Sequence, residues 1–163
     1  MISSPQRIEA IVGYRLTVAL CPAVLGGAGG REAAALRGLV PNWHIANVDI
    51  SADAIEFGKQ AFPTIEHHCL SISQTSPNLV SILEQQDLIF AVAVLHWIDR
   101  ALLARTIANI DETLVDGGYL LIPDFLPPTR RRNPISHNPE FFTYKQDYVA
   151  PFISLGTYEL ISM

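Results

Sequence analysis

The stretch from Ala23 to Ser51 constrains the fold of this chain more than any other part of the sequence. It holds a short apolar run, a glycine-rich turn over residues 26–30, a helix-like segment, and a second apolar run that ends on Asp49. Strand, glycine loop, helix, strand and acid in this order are typical of a nucleotide site at the start of a parallel α/β sheet. Glycines let the backbone approach a ligand at a helix N-terminus. Asp49 is placed to accept hydrogen bonds from a ribose diol.

The rest of the chain continues the alternation of apolar runs and helical spacing. The pattern predicts strands at 23–25, 45–48, 64–70, 88–92, 119–122 and 158–161, and helices at 4–20, 31–38, 52–61 (capped by Ser51), 78–85, 100–115 and 142–155. Glycines 117 and 118 are expected to end the helix before the fifth strand, and a proline- and arginine-rich loop is expected at 123–139. This predicts an α/β fold: a doubly wound, mostly parallel Rossmann-like sheet with helices on both faces, lacking its final strand.

The length of 163 residues favours one domain. Its expected parts are an N-terminal helical segment at 1–22, a cofactor-binding core at 23–125, and a loop, helix and last strand at 126–163. The sheet edge left by a missing strand is a place where a second copy of the chain or another partner could associate.

Composition narrows the function classes. The net charge of −5 disfavours nucleic-acid binding, and the one basic cluster, at 130–132, is expected to be a solvated loop. No apolar run is long enough for a membrane span. A secretory signal over 16–30 is disfavoured because Glu9 precedes it and Pro22 interrupts it. Cys21 and Cys69 lack metal or redox spacing, so buried free thiols and a cytoplasmic location are expected.

Four segments, taken in order, resemble the class I S-adenosylmethionine-dependent methyltransferases over residues 20–125. They are the glycine loop, VDIS with Asp49 after the second strand, DLIFAVAVLHWID at the fourth strand, and DETLVDGGYLLIPDF at the fifth. A dinucleotide site is the alternative, but its G-x-G-x-x-G pattern fails at Glu32.

The resemblance implies S-adenosylmethionine as the cofactor and places it along the strand ends. The implied binding residues are Gly26, Gly27, Ala28, Gly29 and Gly30 under the methionine and ribose, Asp49 at the ribose hydroxyls, Ile50, Ser71 and Ile72 around the adenine, and Ala91 and Val92 at the methionine end. The resemblance also implies a methyltransferase, and the acidic charge and short length favour a small-molecule acceptor.

Several positions depart from the family pattern. Ala28 takes the middle position of the G-x-G-x-G register, no acid precedes the loop, and Ser71 stands where the family often has an acid. These departures leave an alternative open, namely a catalytically degenerate methyltransferase-fold domain that acts as a binding or interaction module.

The catalytic residue is not fixed by a motif, because methyl transfer needs mainly positioning and needs a base only for a protonated acceptor. Candidates are His96 after the fourth strand and Asp124 after the fifth. The alternatives are a partly exposed His96 beside a packed Trp97, and a capping or surface role for Asp124. Two further side-chain pairs are singled out. Tyr144 and Tyr148 are expected on one helical face, where they serve packing or, as the alternative, line an acceptor pocket. His67 and His68 are expected on opposite faces of a strand. No metal site is expected.

Overall fold

The computed structural model describes residues 20–136 and 138–162. The helix predicted at 4–20 therefore lies, apart from its last residue, outside the described residues. None of the helices within the described ranges combines the length and apolar character needed to cross a membrane.

A parallel sheet of five strands forms the centre of the described chain. The strands are β1 (Pro22–Leu25), β2 (Ala46–Asp49), β3 (Glu66–Cys69), β4 (Gln86–Ala91) and β5 (Leu114–Leu121), in the spatial order β3-β2-β1-β4-β5. Strand order reverses between β1 and β4, and ligands bind beyond the carboxyl ends at such a reversal. The register aligns Leu25 with both Val48 and Ala91, so the three strands end together around one crevice.

Helices cover both faces of the sheet, as the alternating pattern predicts. They are α1 (Arg31–Leu39), α2 (Ala52–Ala61), α3 (Leu79–Leu83) and α4 (Arg100–Thr113), with a short 3-10 helix at Leu95–Trp97 and a last helix α5 (Ala150–Ser154). Ser51 caps α2 as predicted, because its Oγ accepts a hydrogen bond from the Ala54 N–H at 3.2 Å. The doubly wound, parallel Rossmann-like fold is confirmed.

The hydrophobic core consists of two layers, one on each face of the sheet. Leu25, Val48 and Ile89 pack with α3 and α4 on one face, whereas Val24 and Leu88 pack with α1 on the other. Because successive side chains of a strand point to opposite faces, a strand buried on both sides must be apolar throughout. This explains the uninterrupted apolar runs that identify β1 and β4 in the sequence.

The chain after β5 differs from the prediction. The loop expected at 123–139 contains β6 (Arg131–Ile135), and the helix expected at 142–155 is instead β7 (Asn138–Lys145) followed by the short α5. β6 and β7 form an antiparallel hairpin. Aromatic and β-branched residues favour a strand at 141–144, and Pro151 is tolerated only because it lies in the first turn of α5.

Two further boundaries are corrected. Gly117 and Gly118 do not end the preceding helix but lie inside β5, which begins at Leu114 and shifts register against β4 there. The strand expected at 158–161 is not formed: within residues 146–162 the chain has no strand. Tyr158 packs on Phe152 and donates a hydrogen bond to Asp111 at 2.7 Å, so side-chain burial rather than strand pairing holds this segment.

The cysteines are both free, as expected, but they are not both buried. Cys21 is half-buried at the start of β1, and Cys69 is exposed at the end of β3. Cys69 is the last residue of a strand whose end faces solvent, which its apolar neighbours in sequence do not reveal. The arginines at 130–132 are exposed, as predicted, although two of them belong to β6 rather than to a loop.

Candidate cofactor and active site

The glycine loop follows β1 directly and turns through conformations that favour glycine. Gly26 and Gly30 have φ angles of +71° and +86°. The Gly26 N–H donates to the Val48 carbonyl at 2.8 Å, which ties the loop to β2. A Cβ on Gly26 would lie 2.6 Å from Val94 Cγ2 and closer still to Val94 Cβ. The loop therefore packs closely against the segment that follows β4.

Ala28, at the tip of this loop, is held by two side chains of β2. Its N–H donates to Asp49 Oδ2 at 2.9 Å, and its carbonyl accepts from Asn47 Nδ2 at 3.0 Å. These bonds keep an alanine at a φ of +43°, a conformation that costs about 1 kcal/mol or more for a residue with a Cβ. The family pattern has a glycine at the position of Ala28, and these two hydrogen bonds hold the loop in its turn with an alanine there.

Asp49 retains acceptor capacity for a ligand. Its Oδ2 accepts from Ala28 and its Oδ1 accepts from the Ser51 N–H at 2.9 Å. A carboxylate offers about four lone-pair positions, so two positions remain beside the exposed Ala28. Two ribose hydroxyl groups would need two such acceptor positions.

A buried polar pair beneath the loop was not predicted from the sequence. Asn47 is fully buried, and its Nδ2 also lies 3.3 Å from Nδ1 of His67, its partner in the β2–β3 register. His67 Nε2 lies 3.3 Å from the Phe62 carbonyl. An asparagine within the apolar run 45–48 is the sequence feature that points to this pair.

The remaining predicted binding residues lie at the same edge of the sheet, with different exposures. Ile50 is 72% exposed beside Asp49, and Ser71 and Val92 are half-buried. Ile72 and Ala91 are buried in the hydrophobic core, so their side chains face the core rather than the crevice.

Helix α4 fixes the loop that follows β3, and sequence analysis missed the residues that do so. Asn109 Nδ2 donates to the carbonyl groups of Ile72 and Gln74 at 2.9 and 3.0 Å. Ser73 and Thr106 exchange a buried hydroxyl–hydroxyl bond of 2.8 Å. The loop that the resemblance assigns to adenine is thus fixed from behind.

His96 and Asp124 form a buried pair at the carboxyl ends of β4 and β5. His96 Nδ1 lies 2.9 Å from Asp124 Oδ1, and the two side chains are 7% and 1% exposed. Asp124 also accepts from the backbone N–H groups of His96 and Phe125, at 3.3 and 2.7 Å. The alternative of a partly exposed His96 beside a packed Trp97 is wrong, since Trp97 is 52% exposed. Asp124 is not a plain surface residue.

The β6–β7 hairpin packs beside this pair. Tyr144 donates to Asp99 Oδ2 at 3.1 Å, and Lys145 Nζ lies 3.7 Å from the ring centroid of Phe125, whose ring is 4.9 Å from that of His96. Tyr148 donates to the Tyr144 carbonyl. Both tyrosines are buried, as their predicted packing role requires, but on a strand and the segment after it instead of on one helix.

Burial, followed by the nearby Asp124 carboxylate, raises the pKa of Tyr148 to about 12. The phenol therefore stays protonated at neutral pH and remains a donor.

His67 and His68 point to opposite faces of β3, as predicted. His67 meets Asn47, whereas His68 Nε2 lies 3.0 Å from Glu66 Oε1. Within residues 20–136 and 138–162, no group of three or more His, Cys, Asp or Glu side chains is arranged to hold a metal ion.

Comparison with known structures gives the same fold. An O-methyltransferase of a trans-AT polyketide synthase multienzyme from Brevibacillus brevis matches with a TM-score of 0.68 and 16% identity, over 92% of this chain and 49% of that one. The 1,6-didemethyltoxoflavin-N1-methyltransferase of Burkholderia thailandensis matches with 0.65 and 14%, over 93% and 64%. The chain spans less than two thirds of the length of either protein.

A family model described as a methyltransferase domain matches residues 24–120. No curated protein sequence matches the chain. The family match covers more than half of the chain and includes the glycine loop, Asp49 and all of β4. The chain belongs to the class I S-adenosylmethionine-dependent methyltransferases.

Proposed function

We propose that this chain binds S-adenosylmethionine at the glycine loop and Asp49 and transfers its methyl group to a hydroxyl group of a small molecule. Membership of the methyltransferase family supports the reaction type. The observation that carries the proposed acceptor chemistry is the buried His96–Asp124 pair at the end of β4.

The residues of the crevice fit the cofactor. Asp49 offers two acceptor positions for the ribose hydroxyls, and the exposed Ala28 borders them. Gly26, which has no side chain, lets the loop pack closely against Val94 in the segment after β4. When bound, S-adenosylmethionine supplies a methyl group on a sulfonium, which is transferred by in-line displacement.

His96 has the hydrogen bonds expected of a general base. With its Nδ1–H donated to Asp124, the ring presents the Nε2 lone pair, and Nε2 bonds to none of the described residues. A hydroxyl group is protonated at neutral pH, so its methylation benefits from a base that removes the proton. Asp124 orients the imidazole and offsets the positive charge that His96 acquires.

The surface beside His96 favours an organic acceptor with an apolar part. Trp97, Phe125 and Leu126 are 52%, 45% and 56% exposed, and the rings of the first two lie 5.2 and 4.9 Å from the ring of His96. The printed names of the structural neighbours include an O-methyltransferase of a polyketide synthase and a 1,6-didemethyltoxoflavin-N1-methyltransferase. These support the prediction of a small-molecule acceptor. The cytoplasmic location and the partner at the sheet edge stay predictions.

The test is transfer of a radiolabelled methyl group from S-adenosylmethionine to a panel of small hydroxylated compounds with an apolar ring or chain. We expect His96→Gln to lower kcat by about 10²- to 10⁴-fold, the contribution typical of general acid–base catalysis. Asp124→Asn should lower kcat as well. His68→Gln is the matched control, because His68 lies on β3 and contacts Glu66 rather than the His96–Asp124 pair. Equal turnover by His96→Gln and the unaltered chain would refute the role of His96.

A cofactor-binding module without methyltransferase activity is a second candidate function, because Ser71 stands where the family often has an acid and no acid directly precedes the glycine loop. A chain that binds the cofactor but methylates no compound would support a binding module.

A further inference from the structure

The ring of His67 is enclosed by the elements that shape the cofactor loop. A Cβ on Gly30 or on Gly58 would lie 2.6 or 2.5 Å from His67 Cε1, so the imidazole fills the space between the start of α1 and the middle of α2. Its two nitrogens meet Asn47 and the Phe62 carbonyl. His67 therefore contacts β2, both helices of this face and the turn before β3.

These contacts select one tautomer of the neutral ring. The Phe62 carbonyl is an acceptor, so His67 Nε2 carries the hydrogen and Nδ1 accepts from Asn47 Nδ2. The second N–H of Asn47 then points to the Ala28 carbonyl at 3.0 Å. The orientation of the Asn47 amide thus suits both partners only while His67 is neutral.

A proton on His67 Nδ1 would turn that acceptor into a donor facing the Asn47 Nδ2 donor. To accept from it, the Asn47 amide must flip, which places Oδ1 against the Ala28 carbonyl and breaks the bond to Ala28. Asn47 Oδ1 makes no hydrogen bond to a described residue and packs against Gly27, so nothing at that position opposes the flip by a lost bond. The tip of the cofactor loop would lose one of its two side-chain supports.

None of the described groups that contact the His67 ring carries a charge. The groups that face the His67 ring are Asn47 of β2, Gly30 at the start of α1, Gly58 of α2 and the Phe62 carbonyl. The titratable and charged groups on these elements and on β3 itself are Asp49, Arg31, Glu32, Arg37, Asp53, Glu56, Lys59, Glu66, His68 and Cys69. Asp49 is bonded to Ala28 and Ser51, Arg37 to the Trp43 carbonyl, and Glu66 lies against His44 and His68.

We propose that Asn47 and His67 are positioning residues for the cofactor loop, and that a proton on His67 releases Ala28 and weakens cofactor binding. The inference rests on the proposed cofactor site and adds a dependence on pH to it. His67 packs beneath Gly30 of the loop, and its proton acts on the cofactor through Asn47 and Ala28.

The first measurement needs no cofactor. In NMR spectra of the full chain between pH 8 and 5.5, the Ala28 backbone amide and the Asn47 side-chain amide should shift with the midpoint of the His67 ring. In His67→Gln these shifts should vanish, because glutamine can accept from Asn47 and donate to Phe62 without titrating. If the Ala28 and Asn47 signals do not change when the His67 ring takes up a proton, the proposal is wrong.

The second measurement is the affinity for S-adenosylhomocysteine over the same pH range. Loss of one hydrogen bond predicts that the chain with a protonated His67 binds about threefold to tenfold more weakly than the chain with a neutral His67. His67→Gln should bind as the unaltered chain does at pH 8 and lose the pH dependence, whereas His68→Gln should keep it. A dependence that persists in His67→Gln belongs to another group and overturns the proposal. Absence of binding at pH 8 would refute the proposed function instead, and the NMR result would still decide the role of His67.

Discussion

Replacing Gly26 by alanine tests the tight packing of the cofactor loop. Two costs add. An L-residue at a φ of +71° costs about 1–2 kcal/mol. The new Cβ would also lie within 2.6 Å of Val94 Cγ2 and closer to Val94 Cβ, and overpacking of this kind costs about 1–3 kcal/mol. We expect Gly26→Ala to lower the free energy of unfolding by about 2–5 kcal/mol.

Because the new side chain clashes with the Cβ of Val94, only a substitution that removes this atom should relieve the clash. Val94→Ala keeps that atom and should not rescue Gly26→Ala, whereas Val94→Gly removes it and should restore the overpacking part of the loss. Gly38→Ala is the matched control: no atom lies within 4 Å of its added Cβ, and it sits in α1. That change should stabilise the chain by about 0.5–1 kcal/mol.

The assay is urea denaturation followed by far-UV circular dichroism. Because domains of this size have only about 5–15 kcal/mol of stability, the variants are best compared in the Gly38→Ala background. A loss below about 0.5 kcal/mol for Gly26→Ala, the range of neutral surface changes, would refute the packing described here.

Three further outcomes are expected. Asn109→Ala should lower the free energy of unfolding by about 1–3 kcal/mol in urea titrations, because it removes the donor that the buried bond to the Ile72 carbonyl and the partly buried bond to the Gln74 carbonyl share. An unchanged midpoint would contradict this. Burial, followed by the Asp124 carboxylate, raises the pKa of Tyr148 to about 12, above its unfolded value of about 10. Its contribution to stability is therefore complete below pH 10 and lost as the pH rises through 12, and Tyr148→Phe should flatten this alkaline loss in unfolding curves at pH 9 and 11.5. Cys69 should react with iodoacetamide faster than Cys21, and mass spectrometry measures both rates. The reason is that Cys69 is exposed, whereas burial, followed by the Asp87 carboxylate, raises the pKa of the Cys21 thiol. Equal rates would contradict this prediction.

The parallel core could be predicted because its signals are local. Apolar runs and the glycine turn identify β1 and β4, and Ser51 before Ala52 identifies the start of α2. Each of these features depends on neighbouring residues alone. The hairpin could not be predicted in this way, since Tyr144 and Tyr148 have helical spacing while Phe142 and Tyr144 also fit a strand.

The supports of the candidate site depend on register, which local patterns do not contain. Asn47 meets His67 because β2 and β3 pair with these two residues opposite each other, twenty positions apart. His96 and Asp124 were each identified as candidates, yet their bond becomes visible only when β5 is placed beside β4. Asp49 is the exception, because its position after the second strand locates it at the crevice from the sequence alone.

The most direct test of the account is calorimetric titration of the full chain with S-adenosylhomocysteine at pH 8. We expect micromolar binding, about −8 kcal/mol. Asp49→Ala should weaken binding at least about tenfold, since hydrogen bonds to a charged group contribute about 1.5–3 kcal/mol. Asp53→Ala, an exposed acid in the first turn of α2, should leave the affinity unchanged. No binding at millimolar ligand by a folded chain, or equal affinity in Asp49→Ala, would contradict the cofactor site described here.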